Sequence, residues 1–411
     1  MSAPQTLDAL HSQLQQRHLA LCEESASEHY YSLLKAQTRL PNLHLQTPDH
    51  KAAYRFSYDG EQLQVNPSGS APKNATVIEL SAEDWLGLTN DMESTPALIY
   101  GDRIRCLQGD AMALMAWEPA LRALYCGIPV YDPHQPDLRG ADGQPVVPDS
   151  CFTADDDPAA MRNALNTLGY LVVHDVFSAA ELVRFREHAL RLHSQAQEGD
   201  KSSWWGKNRH AESVLCRVLT AGSVAELHDL YDDPRIQHLQ SLMPEGLKAA
   251  NPDEQDGLTI IFKNPAMVEG LSDLPWHRDC GMGGHAVMCP TVIISIYLYD
   301  ATDDAGALRF LPGSHKASFG FADASDPKAP RGVRADAKAG SVTLHYGDVM
   351  HAAPEPHSDT GPFRQSILLA YQPHYQHHRG QRHYNDVLLD KSEDGQIPHL
   401  KAMVAGDSSR D

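Results

Sequence analysis

The residues of this chain best suited to chemistry are His277-Arg278-Asp279 and, far downstream, Gly347-Asp348-Val349-Met350-His351. Two imidazoles and one carboxylate can occupy a triangular face of a metal and leave the opposite positions open, the 2-His-1-carboxylate arrangement of non-heme Fe(II) oxygenases. Alternate side chains of a strand share a face, so the spacing predicts His277 and Asp279 pointing together and Arg278 elsewhere. Arg364 follows thirteen residues after His351, where a guanidinium can grip a dicarboxylate through paired hydrogen bonds. Ser366 lies on the same face of that alternating strand and can bond the same carboxylate. A single carboxylate leaves such a metal unit with net positive charge, which favours a dianionic chelator. By itself an H-x-D pair says little in a chain with 23 histidines, and a surface salt bridge is the bland alternative for Arg364.

Elements that must carry these residues are visible in the hydrophobic pattern. Short apolar runs punctuated by glycine and proline, at Leu258–Phe262, Thr291–Leu298, Ala307–Leu311, Ser341–His345 and Gln365–Tyr371, predict a strand-rich, double-sheet architecture. Ahead of them a helix over Pro158–Leu168, a strand near Gly169–Asp175 and a helix opened by the capping box Ser178-Ala-Ala-Glu181 are expected. Residues 132–157 hold Pro133, Pro136, Pro145 and Pro148 among Asp and Gly and read as a linker. Residues 5–40 read as one or two helices from the spacing of Leu7, Leu10, Leu14, Tyr30, Leu33 and Leu34. After them Tyr54, Phe56 and Tyr58 alternate up to Asp59-Gly60, and Leu63 and Val65 alternate beyond it, a hairpin. Strands are expected at Thr76–Leu80, Leu98–Tyr100 and Ile104–Leu107, and helices after the N-cap Ser81 and near Ala111–Leu124.

Four blocks, LPWHRDCGMGG, GALRFLPGSHKAS, AGSVTLHYGDVMHAAPEP and FRQSILLAYQPH, occur in this order and together closely resemble the phytanoyl-CoA dioxygenase family over about residues 160–390. The resemblance implies a double-stranded β-helix and an oxygenase using Fe(II), 2-oxoglutarate and O₂. It further implies that His277, Asp279 and His351 are the iron ligands and that Arg364 anchors the distal carboxylate of 2-oxoglutarate. Related halogenases replace the ligand carboxylate with a small residue, so Asp279 favours hydroxylation of an unactivated C–H, or another oxidation by the same route. One position departs from several relatives, which carry Ser or Thr two residues after the distal histidine where this chain has Ala353; Ser295 or Ser366 are the candidates to replace that contact. Upstream, the order of hairpin, strand, LSAEDWLGL, strand and GDRIRCLQGDAMAL resembles a sterol carrier protein domain over about 90 residues, which implies a module able to hold lipid.

The expected organisation is therefore a mainly β protein with flanking helices, a jelly roll preceded by a smaller α/β domain. Its parts are a helical N-terminus with the sterol-carrier-like domain (1–131), a linker (132–157), the oxygenase domain (158–390) and a tail (391–411). Four further residues are candidates for substrate contact: Trp276 beside the first ligand, Lys263 and Asn264 at the end of a strand, and His285 in a glycine-rich loop. For each, packing or solvation is the alternative. His345 reads as a packed core histidine, and Trp204–His210 as a loop combining aromatic and basic residues.

Composition removes several other classes. A net charge of −20 with no Lys/Arg block disfavours nucleic acid. The seven cysteines are scattered, odd in number and without C-x-x-C, so reduced thiols in a cytoplasmic protein are expected rather than a disulfide framework or zinc ribbon. No apolar run approaches the ~20 residues of a membrane span, and Met1–Gln5 lacks the basic and apolar regions of a signal peptide. The partner expected is a small molecule of hydrophobic or acyl type, with a homo-oligomer left open. A lipid carrier with a silent oxygenase domain and a zinc hydrolase on the same ligands are the competing functions.

Overall fold

The computed structural model describes residues 6–253, 257–269, 274–279, 291–320, 322 and 327–373. His285 and the expected tail lie outside them.

The N-terminal half begins with helices α1 (Leu7–Glu24) and α2 (Glu28–Leu33). A five-stranded sheet follows, built from β1 (Leu40–Gln46), β2 (Ala53–Tyr58), β3 (Leu63–Pro67), β4 (Thr76–Leu80) and β5 (Ile104–Gln108), in the order β3-β2-β1-β4-β5. Helices α3 (Ala82–Thr89), α4 (Thr95–Tyr100) and α5 (Met112–Cys126) complete it. The expected hairpin pairs Phe56 with Val65 and Tyr58 with Leu63. Ser81 caps α3 by accepting from the Asp84 amide. Leu98–Tyr100 is not the strand its apolar run suggested. Ser94 accepts from the Ala97 amide and Pro96 sits in the first turn, and these local start signals outweigh a three-residue apolar match. The centre of the sheet, β1, escaped the sequence pattern because Leu43, Leu45 and their polar neighbours His44 and Gln46 are all buried, leaving no clean alternation.

The second half starts with β6 (Cys151–Thr153), α6 (Pro158–Leu168), β7 (Tyr170–His174) and α7 (Ala179–Gln195). The capping box at Ser178 and Glu181 forms as expected. Strands β8 (Ser203–Asn208) and β9 (Ser213–Val218) come next, then the short helices α8 (Ala225–His228) and α9 (Pro234–Gln240). Trp204–Asn208, expected as a loop, is thus part of a strand, with Trp204 buried beneath the Arg217 guanidinium, which lies 4.9 Å from the ring centroid. The remaining strands are β10 (Leu247–Ala249), β11 (Leu258–Phe262), β12 (Met267–Glu269), β13 (Leu274–His277), β14 (Val292–Tyr297), β15 (Arg309–Phe310), β16 (Val333–Arg334), β17 (Val342–Tyr346), β18 (His351–Ala353) and β19 (Gln365–Pro373).

These strands form a large sheet in the order β12-β8-β9-β11-β19-β14-β17-β7-β6, with β10 also on β19, and a small one in the order β13-β18-β15-β16. The two sheets face each other. Leu168, Tyr170 and Val172 from the large-sheet side share one apolar cluster with Phe310, Val349 and Ala353 from the small-sheet side, and the Tyr170 and Phe310 rings stack at 4.4 Å. The outer face of the large sheet, with Ile260, Ile294, Ile296, Leu344 and Ile367, is buried against Leu182, Phe185 and Ala189 of α7. Its inner face is different in kind. Period-2 alternation turns Thr259, Ser295, Tyr297, Thr343, His345 and Ser366 to that side, all of them buried. A buried polar wall opposite a short sheet is where a polar ligand can be held. The architecture bears out the mainly β reading.

No helix among the described residues is long and apolar enough to cross a membrane. Cys22, Cys106, Cys126, Cys151 and Cys216 are free thiols.

Candidate metal centre

Strands β13 and β18 pair antiparallel with His277 opposite His351, which brings residues distant in sequence to ring centroids 4.2 Å apart. Asp279 does not continue the strand as its spacing suggested: β13 ends at His277, and Asp279 lies in the following turn. Its amide donates to the Gly347 carbonyl at 3.0 Å, so the turn is tied to the segment that carries the other histidine. Asp279 Oδ1 then sits 3.8 Å from His277 Nε2 and 3.4 Å from His351 Nε2. One ligand atom from each of the three residues fits within 4.8 Å of the others.

Both histidines are oriented in the same manner. His277 Nδ1 is 2.7 Å from the Pro275 carbonyl, and His351 Nδ1 is 3.0 Å from the Val349 carbonyl. A carbonyl only accepts, so each Nδ1 carries a proton and leaves Nε2 as the nitrogen that faces Asp279. Burial, then the neighbouring His351, pulls His277 down to about 3, against the attraction of Asp279; its imidazole is neutral at physiological pH, the form that binds a metal. Burial opposes ionisation of Asp279, yet His351 and a hydrogen bond from His345 hold its carboxyl well below the usual range. Burial disfavours charge on His351, but Asp279 outweighs it and raises that imidazole above its ordinary value. Two imidazole nitrogens and one hard anion converging on a point suit a divalent first-row metal, whose binding would displace any proton on His351. The donor set fits Fe(II).

His345 is more than a packed core residue. Its Nε2 lies 3.1 Å from Asp279 Oδ2, the oxygen turned away from the histidine pair, so it holds the carboxylate as a partner outside the ligand set. Only the facing of β17 and the β13 turn reveals this; in sequence, the signal was the interruption of the apolar run Val342-Thr-Leu-His-Tyr346 at every second residue.

Arg364 is buried beside this group, with Nε donating to the Gly306 carbonyl at 3.0 Å. Burial raises the Tyr297 phenol, against the Arg364 charge. Ser366 is fully buried with an Oγ that meets no partner among the described atoms, and it pairs across the sheet with Tyr297. Ser295 lies two residues before Tyr297 on the same inner face, opposite Thr343. Tyr297 and Thr343, whose hydroxyls are 3.4 Å apart, were not expected as site residues.

The other candidates are placed differently. Lys263 is buried, and its Nζ donates to the Ala353 carbonyl at 2.6 Å while its amide bonds the Arg364 carbonyl at 3.0 Å. It therefore packs where β18 and β19 approach each other, against Gly306. Asn264 donates to the Leu215 and Phe262 carbonyls at 2.8 and 3.2 Å, a link between strands. Trp276 points away from the ligands, since neighbouring strand residues face opposite sides; it packs with Tyr131, Leu311 and Met350 and abuts Gly332.

Residues 165–366 match the phytanoyl-CoA dioxygenase (PhyH) family, a stretch that contains His277, Asp279, His351 and Arg364. No curated protein matches the sequence. Among solved structures, AviO1 from Streptomyces viridochromogenes Tue57 is 22% identical over 54% of this chain and 98% of its own, with a TM-score of 0.42. SnoK, described as a non-heme alpha ketoglutarate dependent carbocyclase from nogalamycin biosynthesis, is 20% identical over 61% of this chain and 96% of its own, TM-score 0.44. The epimerase SnoN, solved with Fe3+, alpha ketoglutarate and nogalamycin RO, is 20% identical over 59% and 96%, TM-score 0.43.

Proposed function

We propose that this chain is an Fe(II)- and 2-oxoglutarate-dependent oxygenase acting on a small molecule, with hydroxylation of an unactivated C–H as the expected outcome. The observation that carries the reading is the convergence of His277 Nε2, His351 Nε2 and an Asp279 oxygen, with both Nδ1 atoms committed to carbonyls. Bound there, Fe(II) would supply the activation of O₂, coupled to decarboxylation of 2-oxoglutarate to succinate and CO₂.

The protein's own part is binding and exclusion. His277, Asp279 and His351 would hold the metal, and three protein donors would leave room for co-substrate and O₂. Arg364, just ahead of β19 rather than within it as its spacing suggested, with Ser366 at the start of that strand, anchors the distal carboxylate of 2-oxoglutarate; a buried guanidinium suits a carboxylate through its planar fork of donors. Ser295 and the hydroxyls of Tyr297 and Thr343 line the same wall. Lys263, beside Gly306 and the Arg364 backbone, adds positive charge where an anion is to be held.

The carrier alternative finds less support. In the N-terminal domain the sheet is closed over by Leu14, Leu43, Phe56, Trp85 and Trp117, all fully buried. The cleft between α1, α3 and α5 has a mixed lining, with Gln13, Arg17 and Glu24 beside Leu21, Leu86 and Leu124. The decisive experiment is succinate formation from 2-oxoglutarate by Fe(II)-loaded protein after admitting O₂, across a panel of small metabolites and lipids. Stimulation by one compound, lost in Asp279→Ala protein that still folds, is expected. Undiminished turnover in a well-folded Asp279→Ala variant would sink the ligand assignment.

A further inference from the structure

The N-terminal domain reaches the metal centre through a buried chain of charges. From α5 come Glu118 and Arg122; from the ligand turn comes Arg278, between His277 and Asp279; from the segment before β18 comes Asp348, three residues ahead of His351. Arg278 Nε lies 3.3 Å from Asp348 Oδ1, and its Nη1 lies 3.9 Å from Glu118 Oε1. Arg122 Nη2 lies 3.8 Å from Asp348 Oδ2, while Nε and Nη2 grip both oxygens of Asp91 at 2.9 and 3.3 Å. Glu118 is held in place by the Thr95 amide at 3.0 Å and by the Thr95 hydroxyl. None of the side chains of Arg278, Asp348, Arg122, Glu118 and Asp91 is more than 10% exposed.

Burying five charges is an expensive way to join two domains, because well-packed apolar residues commonly give equal or better stability. What such a network supplies is a defined geometry. Asp348 shows this: neither of its oxygens accepts a hydrogen bond among the described atoms, so its placement depends on where the two arginines stand. The backbone is joined at the same place. Ser318 Oγ donates to the Pro119 carbonyl of α5 at 3.0 Å, Ser318 N to the Pro129 carbonyl at 2.8 Å, and Tyr131 N to the Ser318 carbonyl at 2.8 Å. Arg278 Nη2 approaches the Ala317 and Phe319 carbonyls at 3.5 and 3.4 Å, so residues 317–319 are gripped from α5 on one side and from the ligand turn on the other.

We infer that Glu118 and Arg122 of the N-terminal domain are positioning residues of the metal centre, setting through Arg278 and Asp348 the spacing between the His277–Asp279 turn and His351. The inference rests on the metal reading given above. It makes the N-terminal domain a working part of the oxygenase site rather than an appended carrier. Outer partners of metal ligands commonly govern affinity by about 10- to 100-fold, and the same range is expected here.

Co(II) alone, titrated into the full-length chain and followed by its visible absorption, tests this without turnover. Glu118→Gln preserves size and one hydrogen-bonding oxygen and removes the charge facing Arg278. The variant is expected to unfold cooperatively like wild type but to bind Co(II) about 10- to 100-fold more weakly, with an altered band. Glu79→Gln is the comparison: Glu79 is also buried and paired, with Arg105 at 2.9 Å, in the same domain but outside the chain of charges, and its variant is expected to bind as wild type does. Arg122→Lys, which keeps the charge and loses the fork on Asp91, provides a second reading of the same link should Glu118→Gln fail to fold, and weaker binding is expected there too. Wild-type affinity and spectrum in a folded Glu118→Gln or Arg122→Lys protein would overturn the inference alone, as would equal weakening by Glu79→Gln. A wild-type chain that takes no Co(II) would overturn the metal reading, and this inference with it.

Discussion

His277 and His351 share one orienting device, an Nδ1 proton given to the carbonyl two residues earlier in the chain, and Asp279 has its own in His345. Replacing His345 with Phe keeps a ring in the wall and removes the donor to Asp279 Oδ2. Metal affinity is then expected to fall about 10- to 100-fold, read by titration with Fe(II) under anaerobic conditions; unchanged affinity would make His345 a packing residue only. Arg364 permits a sharper contrast. Lysine keeps the charge and loses the planar fork, so Arg364→Lys is expected to raise the KM for 2-oxoglutarate by about tenfold or more, with little change in thermal stability. A KM equal to wild type would place the co-substrate elsewhere. At this scale the sequence was informative, because ligand types and their offsets are written in it. Tyr297 and Thr343 were not legible, since a tyrosine or threonine in an apolar strand looks the same whether it faces a site or a helix.

Among elements, the N-terminal sheet and its helices contain a buried histidine with a measurable consequence. His18 of α1 is fully buried, stacks on Tyr54 at 4.1 Å, and has both ring nitrogens engaged, by the Leu14 carbonyl and the Tyr125 hydroxyl. Burial lowers it from 6.5 to about 4, against the Leu14 hydrogen bond. The unfolded chain therefore takes up this proton at higher pH than the folded one. The stabilisation is fully present above pH 6.5 and is lost as pH falls through about 4, a loss of about 3 kcal/mol if this group acts alone. Urea unfolding from pH 7 to 4 should show a shallower decline in His18→Phe than in wild type; parallel curves would show that the ring titrates alike in the folded and unfolded chain. Helix α4 carries the lesson about local rules. Its cap Ser94 and first-turn Pro96 were visible in the sequence, while β1 was hidden because tertiary packing buries its polar positions as well as its apolar ones.

For the whole molecule, the joint between the two halves is ionic at its centre. Arg122→Ala would leave Asp91 and Asp348 facing each other without their shared cation, and breaking one partner of a buried pair typically costs about 3–5 kcal/mol. Denaturant unfolding is expected to report a loss of that size. A loss under about 1 kcal/mol would indicate a solvated joint, where ion pairs contribute little.

By itself the sequence determined which residues can do the chemistry, and the strand pattern able to carry them, because ligand type, period-2 alternation and cap residues are local properties. It did not specify which faces of β14 and β17 turn inward, because Ser295, Tyr297, Thr343 and His345 look alike in sequence whether they face a site or a helix. Tertiary structure alone decided that His277 stands opposite His351, that Asp279 comes from a turn, that His345 reaches it from the facing sheet, and that Glu118 and Arg122 lie beneath the ligand segments. Each of these depends on register or on packing between segments far apart in the chain. The energies that settle such contacts come from burial and pairing of partners that no local window of sequence contains.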